Sequence, residues 1–131
     1  MKTLVDTNVL VDIITQDKAW ASWSETALRK AAEHSTLAID PIIFAEVSMK
    51  FARIEDADAA LVDFEREPLP YEAGFLAGKA FLAYRQRGGS RRSPMPDFYV
   101  GAHAVVGRMN LLTRDAPRYR TYFPGLKIIA P

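Results

Sequence analysis

Short apolar runs alternate with longer amphipathic stretches along almost the whole chain. Lys2-Thr3-Leu4-Val5, Thr36 to Ile39, Asn110 to Thr113 and Leu126 to Ile129 are short and largely aliphatic, and they read as strands. Between them the apolar residues recur at helical spacing. Val9, Leu10, Ile13 and Ile14 share one face of a first helix, and Trp20, Trp23, Ala27 and Ala31 mark a second from about Lys18 to His34. Asp40-Pro41 predicts a helix start, with the aspartate as N-cap and the proline at the first helical position. That helix reaches about Phe51, and another is expected over Asp56 to Phe64. After Pro68-Leu69-Pro70 a long helix runs from about Tyr71 to Arg87, followed by a glycine-, arginine- and proline-rich loop from Gly88 to Pro96. Asp97 opens the next helix, to Met109, and a short helix lies near Pro117 to Tyr122.

Strands that alternate with helices predict a parallel sheet covered on both faces. The expected class is α/β: three layers, α/β/α, with a central parallel sheet of four to five strands flanked by helices. No repeat or linker interrupts the pattern, so a single domain over residues 1–131 is expected. With 49% apolar residues the chain has material for a real core. No apolar run approaches the roughly 20 residues a membrane span needs. The N-terminal residues lead straight into a strand without a secretory pattern, and there is no cysteine for a disulfide or a thiolate zinc site. A cytoplasmic location is the expectation. The net charge of +1 conceals an asymmetry. Residues 85–120 carry eight arginines against two acids, Asp97 and Asp115, for a local charge of +6, and the rest of the chain stands at −5.

Those two acids belong to a set of four. Asp6 follows the first strand, and Asp115 follows the strand ending at Thr113 across one arginine. A parallel sheet gathers the C-terminal ends of its strands on one edge, where α/β proteins bind ligands. Glu46 falls between Ile42, Ile43 and Met49 on a helical wheel, inside an apolar stripe. Asp97 stands at a helix N-terminus whose face continues with the small residues Gly101 and Ala104. Each acid has an ordinary explanation. A strand-end aspartate caps the next helix, Glu46 can pair with Lys50 one turn on, and the helix dipole favours a carboxylate at its start. Their conjunction is less ordinary. Two unit charges about 4 Å apart repel by roughly 4 kcal/mol at an effective dielectric near 20, against a domain stability of about 5–15 kcal/mol. A divalent cation would relieve that repulsion, and an all-oxygen donor set suits Mg²⁺ or Mn²⁺. Zinc would be expected to recruit histidine or cysteine, yet His34 and His103 read as surface or packing residues. Asp12 reads as solvent-facing and Asp40 as a cap.

On these residues the chain resembles the PIN-domain ribonucleases, in particular the VapC-type toxins of toxin–antitoxin pairs. The resemblance rests on Val5-Asp6-Thr7-Asn8 after the first strand, Phe44-Ala45-Glu46-Val47 in a helix, and Asp97 opening a helix after a loop. Leu112-Thr113-Arg114-Asp115, with Tyr119 and Phe123 beyond, completes it over essentially the whole length. It implies a Mg²⁺- or Mn²⁺-dependent endoribonuclease whose metal-binding and catalytic acids are Asp6, Glu46, Asp97 and Asp115. Asn8, Thr113 and Thr7 match supporting polar positions. It further implies cleavage of structured RNA such as tRNA or rRNA, a homodimer, and inhibition by a VapB-type antitoxin. Arg91, Arg92, Arg114 and Arg118 are the candidates for RNA phosphate contacts, and Tyr99 or Tyr119 for stacking on a base. Pro94 and Pro96, and the double-glycine, double-arginine loop, depart from the family's general pattern.

Two enzyme rivals fit poorly. A phosphatase with a strand-end aspartate nucleophile needs a second acid two residues on, where this chain has Asn8. A receiver domain needs paired acids after the first strand and a lysine after a late one, whereas Lys127 begins its strand. The non-enzyme alternative is a catalytically silent PIN-like module that binds RNA or protein. Trp20 and Trp23 read as core packing of the second helix, with an antitoxin-binding groove as the other reading.

Overall fold

The computed structural model describes residues 1–131. Five strands, β1 (Lys2–Val5), β2 (Thr36–Ile39), β3 (Glu65–Arg66), β4 (Asn110–Leu112) and β5 (Ile128–Ile129), form one sheet in the order β3-β2-β1-β4-β5. Every pairing is parallel. Seven helices surround it: α1 (Thr7–Ile14), α2 (Ala21–His34), α3 (Pro41–Ser48), α4 (Ile54–Ala60), α5 (Tyr71–Gln86), α6 (Pro96–Val106) and α7 (Pro117–Tyr122). The central strands show why they lie inside. Leu4, Val5, Leu111 and Leu112 are wholly buried, so β1 and β4 are covered on both faces, as helical crossovers require.

One strand and several boundaries differ from the sequence expectation. β3 was not expected, because Glu65-Arg66 is charged and only two residues long. As an edge strand it needs backbone pairing to β2 more than apolar side chains, and charge on an edge discourages further pairing. α4 accordingly stops at Ala60, short of Phe64, where the chain turns toward that strand. α2 begins at Ala21 rather than Lys18, because the Asp17 carboxylate accepts the N–H groups of Ala19 and Trp20 at 3.0 and 2.9 Å. That contact builds a turn ahead of the helix.

Strand order positions the site. The chain leaves β1 toward β2 on one side and returns to β4 on the other, so the order reverses between β1 and β4. A crevice forms at such a reversal, outside the carboxyl ends of the strands. Val5 sits opposite Leu112, and the Asp6 N–H extends the pairing by donating to the Leu112 carbonyl at 2.9 Å. Asp6 and Thr113 therefore leave the sheet side by side. Across from them, Phe81, Tyr84, Phe98 and Tyr122 pack with ring centroids 5.4–6.3 Å apart and fix the first turn of α6 against α5 and α7. Gly101 lets α6 approach α7 closely: a Cβ there would stand 2.5 Å from the Phe123 ring. No helix is long and apolar enough to cross a membrane.

Candidate metal site

Asp6 performs the ordinary task first. It is the N-cap of α1, accepting the Thr7 N–H at 2.8 Å. Its second oxygen faces the other way, where Thr113 and Tyr119 each donate a hydroxyl at 2.9 Å and the Asn8 amide stands at 3.3 Å. The residue is 4% exposed. Burial pushes its carboxyl up to about 6, with the Asp97 charge adding to the rise and the two hydroxyls opposing it. Burial beside Asp6 likewise pushes the Tyr119 phenol well above its usual range, so it remains a proton donor.

Three further acids come from three other elements. α3 carries Glu46, which accepts the Thr7 hydroxyl at 2.7 Å and leaves Lys50 aside. α6 begins with Pro96 as its first residue, so this proline starts the helix and sets Asp97 in the first turn. The Asp97 carboxylate accepts Arg118 at 3.2 Å and the Tyr119 hydroxyl at 3.4 Å. Asp115 is exposed on the turn after β4, and its backbone N–H donates to Thr113 Oγ1 at 3.1 Å. Asp6, Thr7, Asn8, Glu46, Asp97 and Asp115 line one cleft of about 260 Å³. No three of the acids are yet close enough to make a ready-formed cage. The donors are nevertheless all oxygen, and a cation would hold the buried Asp6 in its ionised form. The set fits a hard divalent ion.

The PIN-domain profile matches residues 3–124. The chain belongs to the PIN-domain family. Solved structures of similar fold include VapBC complexes. VapBC2 of Rickettsia felis, bound to a DNA fragment from its promoter, has a TM-score of 0.75 at 22% identity, over 100% of this chain and 99% of that one. VapBC-1 of nontypeable Haemophilus influenzae has a TM-score of 0.76 at 13% identity, over 99% and 98%. DNA-bound VapBC of Salmonella typhimurium has 0.71 at 18%, over 99% and 98%. No curated protein sequence matches.

In this PIN domain several residues stand elsewhere than the sequence suggested. Asp12 is not solvent-facing: it is 2% exposed and binds Arg114 through both oxygens, at 2.7 and 3.1 Å. The cause is a polar patch inside the α1–α2 contact, where Ser24 also donates to Asp12 at 2.8 Å. Arg114 therefore commits Nε and Nη2 to Asp12. Tyr119 is 1% exposed and cannot stack on a base. His103 is buried against Asp40 at 2.9 Å, and Asp40 also caps α3 through the Ile43 N–H. Trp23 packs on the core, whereas Trp20 lies beneath the Arg114 guanidinium at 5.3 Å. Arg91 and Arg92 are exposed on the loop, which Arg85 braces by donating to the Arg91 carbonyl at 2.6 Å. The Tyr119 hydroxyl is the main site group that sequence reasoning misassigned. It lies four residues after Asp115, between Arg118 and Arg120, and nothing in that local sequence points its hydroxyl at Asp6.

Proposed function

We propose that this PIN domain is a Mg²⁺- or Mn²⁺-dependent endoribonuclease acting on structured RNA such as tRNA or rRNA, and the toxin of a VapBC-type pair. One observation carries the reading: carboxylates from β1, α3, α6 and the turn after β4 converge on a single cleft at the sheet's carboxyl edge. The ion would supply Lewis acidity and lower the pKa of an attacking water. Asp6, Glu46, Asp97 and Asp115 would hold it. The chain's own part is positional. Thr113, Tyr119 and Asn8 orient Asp6, and Thr7 orients Glu46. Tyr119, kept protonated, also spans from Asp6 to Asp97.

RNA as the substrate is supported by charge. The segment that carries Asp97 and Asp115, residues 85–120, has a net charge of +6, and Arg91, Arg92 and Arg118 in it are exposed. A concavity of about 810 Å³ along α5 is lined by Phe75, Lys79, Phe81, Leu82, Arg85 and Arg92, three cations with no acid. Phe81 packs on Phe98, the neighbour of Asp97, so a strand leaving the cleft could run onto this surface. The structural neighbours are complexes, so a VapB-type antitoxin and a homodimer are the partners we infer, in the cytoplasm. Co-purification with the product of a short adjacent reading frame, and the mass of the complex, check both.

The spread of the acids favours one rival, a silent PIN-like module that binds RNA or protein without cutting. Cleavage of tRNA and rRNA with Mn²⁺, with EDTA, and with Asp6→Asn separates the two. Cleavage by the native chain alone, and only with metal, is expected. Binding without cleavage under every metal supports the module, and cleavage in EDTA refutes the metal site.

A further inference from the structure

Among the buried polar groups, one cluster has no part in the chemistry above. Asp12 on α1 is almost fully buried and accepts three hydrogen bonds: two from the Arg114 guanidinium and one from Ser24 on α2. A carboxylate buried at that depth needs such partners, and a two-pronged arginine contact fixes direction as well as distance. Trp20 closes the other side of the guanidinium. Arg114 is thus held from α1 and α2 together, although it belongs to the turn after β4.

What Arg114 holds in turn is the short stretch that enters the acid cleft. Its own backbone N–H donates to Asn8 Oδ1 at 3.1 Å. Thr113 immediately before it donates to Asp6, and Asp115 immediately after it lines the cleft. Asp115 has no side-chain hydrogen bond of its own; its backbone meets Thr113 Oγ1 through its N–H at 3.1 Å and its carbonyl at 3.5 Å. We propose that Arg114 is a positioning residue: clamped by Asp12, it fixes the turn that presents Asp115 to the cation. The inference rests on the metal-site reading. It separates Arg114 from Arg91, Arg92 and Arg118, which remain available to a phosphate.

The clamp and a phosphate contact have different signatures. Asp12→Asn and Arg114→Lys keep polar groups in place but lose the two-pronged ion pair. Ser24→Ala removes one hydrogen bond to Asp12 and leaves Arg114 engaged. Mn²⁺ affinity by calorimetry, melting without metal, and kcat and KM for RNA are measured on the full chain. Both clamp variants are expected to weaken Mn²⁺ binding about tenfold or more, in the range typical of groups that orient ligands. They should also lower kcat with KM unchanged, while Ser24→Ala lowers only the melting temperature. Equal Mn²⁺ affinity in all three variants, with lowered melting, would reduce Arg114 to a brace and overturn the proposal. A raised KM in Arg114→Lys but not in Asp12→Asn would mark Arg114 as an RNA contact and overturn it too. A native chain that binds no Mn²⁺ sinks the metal site and the clamp together; native binding that Asp12→Asn leaves intact sinks the clamp alone.

Discussion

On its sheet side the cleft is solid, and on its outer side it is open. Asp6 is nearly inaccessible and bonded to Thr7, Thr113 and Tyr119, with Asn8 close by. Asp97, by contrast, has a side chain 38% exposed and meets an arginine that is itself 40% exposed. Glu46 is half-buried, and Asp115 is exposed. The difference teaches how four carboxylates can share one cleft. One carboxylate is fixed and desolvated, and its charge is resisted by its surroundings. The others stay solvated, where repulsion is screened and small side-chain motions can bring them in. Rigidity and repulsion are thus assigned to different residues.

The largest expected effect breaks the comparison at its fixed end. Asp6→Asn should abolish Mn²⁺-dependent cleavage, a loss above the 10–100-fold typical of residues behind the ligands. It should also stabilise the metal-free protein. The folded-state carboxyl lies near 6, above its usual value of 3.8, so the folded state binds this proton more tightly than the unfolded chain does. Stability from that source is full below about 4 and is lost as pH rises through about 6. The Asn variant escapes the loss. Its melting advantage in EDTA should therefore grow between pH 4 and 6 and stay flat above. At about 1.36 kcal/mol per pH unit the gap is on the order of 3 kcal/mol. Calorimetry across that range decides it: a difference between Asn variant and native that does not grow from pH 4 to 6 would show that Asp6 is not electrostatically strained.

At the open end the balance reverses. Asp97→Asn should weaken Mn²⁺ binding at least tenfold yet move metal-free stability by no more than about 0.5 kcal/mol, as for an exposed surface position. Tyr119→Phe lies between the two ends, because its hydroxyl touches both acids. Losing a hydrogen bond to a charged group costs about 1.5–3 kcal/mol. It also removes a donor that lowers the Asp6 pKa, so protons compete with the cation to higher pH. The pH at which Mn²⁺ binding is half-complete should rise in Tyr119→Phe and remain unchanged in Tyr122→Phe, a tyrosine of the neighbouring aromatic cluster.

How much of this was legible in the sequence follows the same division. The buried strands and capped helices were readable because apolar periodicity and Asp40-Pro41 are local signals. Asp6, Asp97 and Asp115 stood out because strand ends and helix starts announce themselves, and Glu46 because it interrupts an apolar stripe; the fold lines all four along one cleft. β3 was not, since an edge strand of two charged residues carries no pattern. Asp12 failed for a different reason. A helical wheel sorts polar from apolar positions but cannot show that a polar residue faces an arginine 102 residues away. Tyr119 failed likewise: as an aromatic it suited stacking, and only the approach of α6 at Gly101 puts its hydroxyl on Asp6.

Arg118 gives the smallest effect and the finest test of the open side. Its guanidinium sits 3.2 Å from Asp97, occupying a position that a cation would contest. The pair is well exposed, so it contributes at most about 1 kcal/mol. Arg118→Ala should therefore leave the melting temperature nearly unchanged. Mn²⁺ affinity should rise, by no more than a few-fold, because a competing cation is removed. RNA affinity should fall at the same time, with the salt dependence of binding reduced by about one unit if the arginine meets one phosphate. Opposite shifts in metal and RNA affinity from one substitution would place Arg118 at the boundary between the acid cleft and the basic surface. A parallel loss of both would mean instead that Arg118 holds Asp97 in position, and that the outer wall of the cleft is as fixed as the inner one.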